Sequence, residues 1–220
     1  MRPQYTNSFG LTWIFKQKLN VSIEFNKIKD VSTWLADTIE TSKSIITKSN
    51  LGGQQLLTMT ISYPIQYKNY SLFANMTTNY TSFVADLGPG RTINTKGAGL
   101  NILVQNSWKF AKKWTSDLTA FYNSPTLQEG NMRTRSMWSV DAGVQTKLLR
   151  DKATIKFAIS DMFQSLRSAN ASEFAGQRVS YKAKWNSQQA KLSIVLRLGS
   201  KEIKAARQRK SGAEEEMNRV

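Results

Sequence analysis

The sequence predicts an all-β fold: an antiparallel transmembrane β-barrel wall, a partial barrel of about nine long strands, with a short non-barrel C-terminal tail. Three observations predict it. Apolar and polar residues alternate with a period of two along most of the chain. The alternation is clearest at Lys191 to Leu198, where Leu192, Ile194, Leu196 and Leu198 interleave with Lys191, Ser193, Val195 and Arg197. The alternating segments match the roughly 9 to 11 residues a strand needs to cross a bilayer. Tight and long connections succeed one another in turn, as in outer-membrane barrels.

The first strand runs from Tyr5 to Lys16, with Tyr5, Phe9, Leu11, Trp13 and Phe15 on one face and Thr6, Ser8, Gly10 and Thr12 on the other. After a tight turn at Lys16 to Lys18, Leu19, Val21, Ile23 and Phe25 alternate with Asn20, Ser22, Glu24 and Asn26, and this strand is expected to continue past Asp30 toward Asp37. The return strand spans about Ser44 to Tyr63. Pro64 is expected to end it, because proline cannot donate to a central ladder. Asn69 to about Asp86 is the fourth strand, and Gly88-Pro89-Gly90 makes the next connection a loop. Leu100, Ile102, Val104 and Trp108 mark the fifth strand, and Trp114 to Ser124 is the sixth, after a turn at Ala111 to Lys113. Trp138 to Leu148 is the seventh and Ala153 to Ile159 the eighth, after a turn at Arg150-Asp151. Val179, Tyr181, Ala183 and Trp185 then alternate in odd register and Leu192 onward in even register, so Asp161 to Ser187 reads as one long loop before a bulged final strand.

Tight turns near residues 17, 66, 112 and 150 face one end, and long connections near 41, 90, 129 and 170 face the other. If the tight turns are periplasmic, the wall covers residues 1–199 and the tail, residues 200–220, hangs in the periplasm. Trp13, Phe15, Tyr63, Tyr70, Trp108, Phe110 and Trp114 form an interfacial girdle at that end. Closed single-chain barrels have an even strand count, and MRPQYTNSFG lacks the basic and apolar segments of a secretory leader. The expectation is the C-terminal piece of a longer precursor.

Composition narrows the chemistry. No cysteine or histidine is present among the 220 residues, which removes thiolate nucleophiles, Ser-His-Asp triads and the usual zinc sites, so no enzyme, catalytic, metal or cofactor site is expected. The net charge of +16 is dispersed into turns (Lys16, Lys18, Lys68, Lys112, Lys113, Arg150, Lys152) and the tail. Nucleic acid as a partner is therefore not expected, since that calls for a continuous basic stripe.

Glu24, Asp117, Asp141, Lys147, Lys156 and Arg197 are placed on the inward face, where they line a solute path or simply solvate the lumen. Arg91, Lys96, Glu129, Arg133 and Arg135 sit in expected outer loops, which carry recognition when a rigid scaffold holds them; no ligand-binding residue is singled out. Asn20, Asn69, Asn75 and Asn79 match the glycosylation pattern, a chance product of strands rich in Asn, Ser and Thr. Gly97-Ala98-Gly99 lacks the lysine and spacing of a phosphate loop and reads as turn geometry.

The tail RLGSKEIKAARQRKSGAEEEMNRV, Arg197 to Val220, resembles the C-terminal end of the outer-membrane β-barrel family common in Bacteroidota, whose members are similar to TonB-dependent receptors. RPQYTNSF, DVSTWLADTIETSKSIITKSNL and SDMF at Ser160 to Phe163 are similar to that family's pattern too, so the likeness spans essentially the whole chain. The resemblance implies a barrel of about 22 strands with an N-terminal plug. It also implies solute uptake gated by that plug. The implied partners are outer-membrane lipid, the missing N-terminal barrel and plug, the TonB complex through the plug, and the barrel-assembly machinery. Members usually place an aromatic residue before the final glycine, where this chain has Leu198 before Gly199. Two rival readings are a non-transporting surface or assembly barrel and a soluble basic β protein that binds polyanions.

Overall fold

A computed structural model describes residues 2–40, 43–50, 52–86, 92–128, 132–150, 152–174 and 177–198. They form β1 (Tyr5–Phe15), β2 (Leu19–Lys29), β3 (Ser32–Glu40), β4 (Lys43–Asn50), β5 (Gly53–Tyr67), β6 (Tyr70–Asp86), β7 (Thr92–Phe110) and β8 (Trp114–Asn123). These are followed by β9 (Thr126–Gln128), β10 (Met132–Thr134), β11 (Met137–Leu148), β12 (Ala153–Ser160), β13 (Arg167–Phe174), β14 (Gln177–Lys184) and β15 (Gln189–Leu196). Nine of them make one antiparallel sheet in the order β1-β2-β5-β6-β7-β8-β11-β12-β15, the expected nine-stranded wall. The others form a four-stranded sheet, β14-β13-β10-β9, and a hairpin, β3-β4.

The register carries the alternation from strand to strand without a slip. Ile23 pairs with Met59, Ile61 with Met76, Met76 with Ile102, Ile102 with Tyr122 and Phe157 with Leu192, all on one face. Ser22, Thr60, Thr77 and Asn101 run across the other, with the Thr60 and Thr77 hydroxyls 3.1 Å apart. A one-residue slip would swap the faces, so a two-faced sheet specifies its register strongly.

The tight turns hold non-glycine residues at positive φ. Lys16 and Gln17 both do so, and Lys18 N–H donates to Phe15 O at 3.0 Å, the geometry that matches the right-handed twist of a hairpin. Leu149 and Arg150 repeat the paired positive φ.

Four expectations are corrected. β2 stops at Lys29, because Asp30 (φ 54°) and Gly52 (φ 54°) turn the chain out of the sheet and β3-β4 forms a separate hairpin. At Gly52 an added Cβ would lie 1.9 Å from Val84 O, so the kink admits only glycine. Pro64 does not end β5, which runs to Tyr67. The pairing with β2 stops at Ser62, so Pro64 lies where β5 has only β6 beside it and its missing N–H leaves no ladder bond unmade on the β2 side. Asp161 to Ser187 contains β13 and β14, paired from Arg167–Lys184 to Phe174–Gln177, and β15 follows in unbroken register with β12. Lys96 lies within β7 instead of a loop.

Candidate functional site

The polar face of the nine-stranded sheet carries several depressions. Lys156 Nζ reaches across β11 to Asp117 Oδ2 at 3.6 Å, passing over Gly143, where an added Cβ would make ordinary contact with Lys156 Cε at 3.5 Å; Lys156 and Asp117 thus span β11. These two side chains join Pro64, Phe73, Gln105 and Ser107 around a depression of about 500 Å³. β5 and β12 are five strand spacings apart, about 24 Å on a flat sheet. Their sharing of one such depression means that the polar face is concave.

A cap covers the loop end of that face. Gly97 and Gly99 sit two apart and so point the same way, and β9 lies against them. A Cβ at Gly97 would be 2.9 Å from Leu127 Cβ, and one at Gly99 would be 2.5 Å from both Thr126 Oγ1 and Asn79 Oδ1. The glycines thus serve close packing within a strand, not the turn expected from sequence. Beside them Phe83, 0% exposed, packs with Val31, Ala85 and Ile93 in a small hydrophobic core on the mainly polar face. Arg135 and Arg167 line a polar depression between the cap and β7–β8, with Asn101, Asn123 and Asn170.

Asp161 clamps the cap to the wall. It is 1% exposed, and its carboxylate accepts hydrogen bonds from Ser165 N–H and Oγ (2.8 Å each), Leu166 N–H (3.1 Å) and the Ser187 hydroxyl, while its own N–H donates to Asp141 Oδ1 at 2.7 Å. Burial alone would raise its pKa. The Ser187 hydroxyl, the Ser165 and Leu166 N–H groups and the Ser165 hydroxyl outweigh that and hold it well below the usual carboxylate range. The Ser187 bond ties the end of the β12–β15 connection to its beginning.

The apolar face carries two aromatic bands. At the tight-turn end all seven expected girdle residues lie on it, with Trp13–Phe15 ring centroids 5.4 Å apart and Phe110–Trp114 6.2 Å apart. Tyr67, 66% exposed, joins them, missed because the strand was expected to stop at Pro64. At the loop end are Tyr80, Tyr122 and Trp138, the last with Phe163 at 5.9 Å. Tyr70 and Tyr80 are ten steps apart on one strand, about 33 Å. At a tilt near 40° they are about 25 Å apart in depth, the height of an outer-membrane apolar band.

Residues 1–195 match the family model described as outer membrane protein beta-barrel family. The chain belongs to that family. No curated protein and no solved structure matches it. Family membership places the protein in the outer membrane with its apolar face toward lipid, and so replaces the soluble polyanion-binding reading.

In this family member the six charges expected inside divide into different roles. Asp117 and Lys156 pair; Asp141 is held by Asp161 N–H; Glu24 Oε1 accepts from Asn26 Nδ2 at 2.8 Å. Lys147 stands at the tight-turn mouth in a depression with Lys109, Lys112 and Lys113, and Arg197 N–H donates to Lys152 O at the same end. Of the expected loop residues, Arg133 lies in β10, Arg135 follows it with its N–H on Ala169 O, and Arg91 and Glu129 lie outside the described residues, as do Gly88-Pro89-Gly90 and the tail 200–220. Asn20, Asn75 and Asn79 sit on the polar face and Asn69 in a tight turn. Among the described residues no cluster of carboxylates could hold a metal ion.

Proposed function

We propose that the nine strands are the C-terminal wall of a larger TonB-dependent-receptor-like barrel whose concave polar face lines a solute path. The tight turns and the tail face the periplasm, and the capped end faces outward. One observation carries the reading. Among the described residues β1 and β15 each have a single neighbour in the sheet, and both run from the loop end to the tight-turn end. Antiparallel closure therefore takes an odd number of further strands between them, and unpaired strand edges are not tolerated in hydrocarbon. A plug bound to the lumen would supply the gate and the contact to TonB, and the assembly machinery would close the wall.

Uptake of labelled oligosaccharides and peptides by cells carrying the gene, with and without an uncoupler, tests this. Uptake that collapses when the proton-motive force is dissipated supports it; no uptake, or flux indifferent to the uncoupler, rules it out. A non-transporting surface barrel is the second reading, favoured by the buried core around Phe83 and by β9, which together obstruct the loop end. It predicts no solute flux in the same experiment.

A further inference from the structure

The tight-turn end carries a charge pattern that solute uptake leaves unused. Its four turns, Lys16 to Lys18, Lys68-Asn69, Ala111 to Lys113 and Leu149 to Lys152, contain seven Lys or Arg residues and one acid, Asp151. All seven cations are exposed, and among the described residues none has a carboxylate partner. Turns joining adjacent pairs recur every second strand, about 10 Å along the rim, which is close to the Debye length at physiological salt. Their fields merge into one positive edge.

Where those cations point identifies the partner. Lys16 Nζ lies 5.2 Å from the ring centroid of Phe15, and Lys68 Nζ 5.2 Å from that of Tyr67. Both rings belong to the lipid-facing girdle. The two ammonium groups are thus drawn up beside the membrane-facing rings, at the level where acyl chains give way to phosphate.

We propose that this rim binds the phosphate groups of anionic phospholipids in the leaflet beside the tight turns. The apolar face, the aromatic band and the cationic edge follow one another in the same order as acyl chain, glycerol region and headgroup. The rim would orient the wall in its bilayer and collect anionic lipid around it. This rests on family membership and the facing of the sheet; whether solute passes through the barrel does not enter it.

The test uses the closed barrel, these 220 residues together with the complementary strands, refolded into vesicles. Tryptophan quenching by brominated phosphatidylglycerol is compared with quenching by brominated phosphatidylcholine. At low salt the phosphatidylglycerol preference is expected to be at least about fivefold, the size of one well-placed cation's contribution. The variant K16Q/K18Q/K68Q/K112Q/K113Q/R150Q/K152Q, neutralised at all seven rim cations, should lose it; glutamine already occupies a positive-φ turn position at Gln17, so the turns remain formable. The variant R133Q/R135Q/R167Q, neutralised at the opposite end, should keep it. No preference in the unaltered chain, retention by the turn variant, or equal loss in both variants overturns the proposal. So does loss of the preference to inorganic phosphate at constant ionic strength, which would assign the rim to a free anion.

Discussion

Leu118 and Thr119 are neighbours on β8 that test which face meets lipid. Leu118 pairs with Asn106 and Ala142 and is 42% exposed, whereas Thr119 pairs with Gln105 and Asp141 and lines two polar depressions. Leu118 lies four residues from Trp114, about 13 Å along the strand. That is about 10 Å in depth at a 40° tilt, near the middle of an apolar band about 25 Å tall. Leu118→Arg should cost about 2–4 kcal/mol, the penalty for arginine at the bilayer midplane. In the folding equilibrium that is about 30- to 900-fold. Thr119→Arg enters a polar surface beside Asp117 and Asp141 and should change stability by less than about 0.5 kcal/mol. Urea titration of the closed barrel in vesicles, followed by tryptophan fluorescence, measures both. Equal losses, or a larger one for Thr119→Arg, would mean that the assignment of faces is inverted.

The other predictions concern packing, charge and the cap. Gly52→Ala should destabilise by at least about 1–3 kcal/mol through backbone strain and collision with Val84 O. Gly53→Ala, whose Cβ meets only Ile28 O at 3.4 Å, should cost no more than about 1 kcal/mol, and urea titration of the two compares them. Gly97→Val should push β9 off the wall at a cost of about 1–3 kcal/mol, read as faster proteolysis at residues 124–136. Lys156→Gln breaks a partly exposed pair and should cost less than about 1 kcal/mol, because solvent screens it; a loss above about 2 kcal/mol in the same titration would contradict that. Asp161 has a lowered pKa in the folded chain, so its stabilisation is fully present above the ordinary carboxylate value near 3.9 and is lost as pH falls below it. The protection factors of the Ser165 and Leu166 amides, referenced to unprotected amides at each pH, should therefore fall between about pH 4 and pH 2, and Asp161→Asn should show reduced protection already at pH 6.

The nine wall strands were legible because each is long, two-faced and bounded by turn residues, and the period-two pattern is the only signal such a strand needs. The cap was not legible for the opposite reason. β9 and β10 have three residues each, too few to show a period, and β13, RSANASEF, has almost no large apolar residues to alternate. Its pairing comes from β14, the next strand of a hairpin, and from β10, a contact distant in sequence. Phe83 was hidden in another way. It occupies a polar-face position in β6, and only the approach of Val31 and Ile93 from elsewhere makes that position dry. SDMF was noticed as a family pattern, but its physical content, a carboxylate gathering Ser165, Leu166 and Ser187, needs residues up to 26 positions away.

How the wall closes follows from strand direction alone. Copies of this sheet arranged around a common axis would place β15 of one beside β1 of the next. Both run toward the tight-turn end, so every seam would be parallel. Parallel pairing is slightly weaker per residue than antiparallel pairing, and each seam would interrupt an otherwise antiparallel wall. A complementary segment with an odd number of strands has no such seam: it pairs antiparallel with β1 at one edge and β15 at the other, and restores the even count of a closed single-chain barrel. The faces set a further condition on it. Tyr5, Phe9, Leu11 and Trp13 on β1 and Leu192, Ile194 and Leu196 on β15 all face lipid, so both outer strands of the complement must present apolar residues in phase with these. Single cysteines placed at Thr12 and Ser193, both on the polar face of this cysteine-free chain and each near the tight-turn end, should therefore be captured by the complement through a photo-reactive thiol reagent and should not form a disulfide with each other, and a β1–β15 disulfide between copies would establish the parallel ring instead.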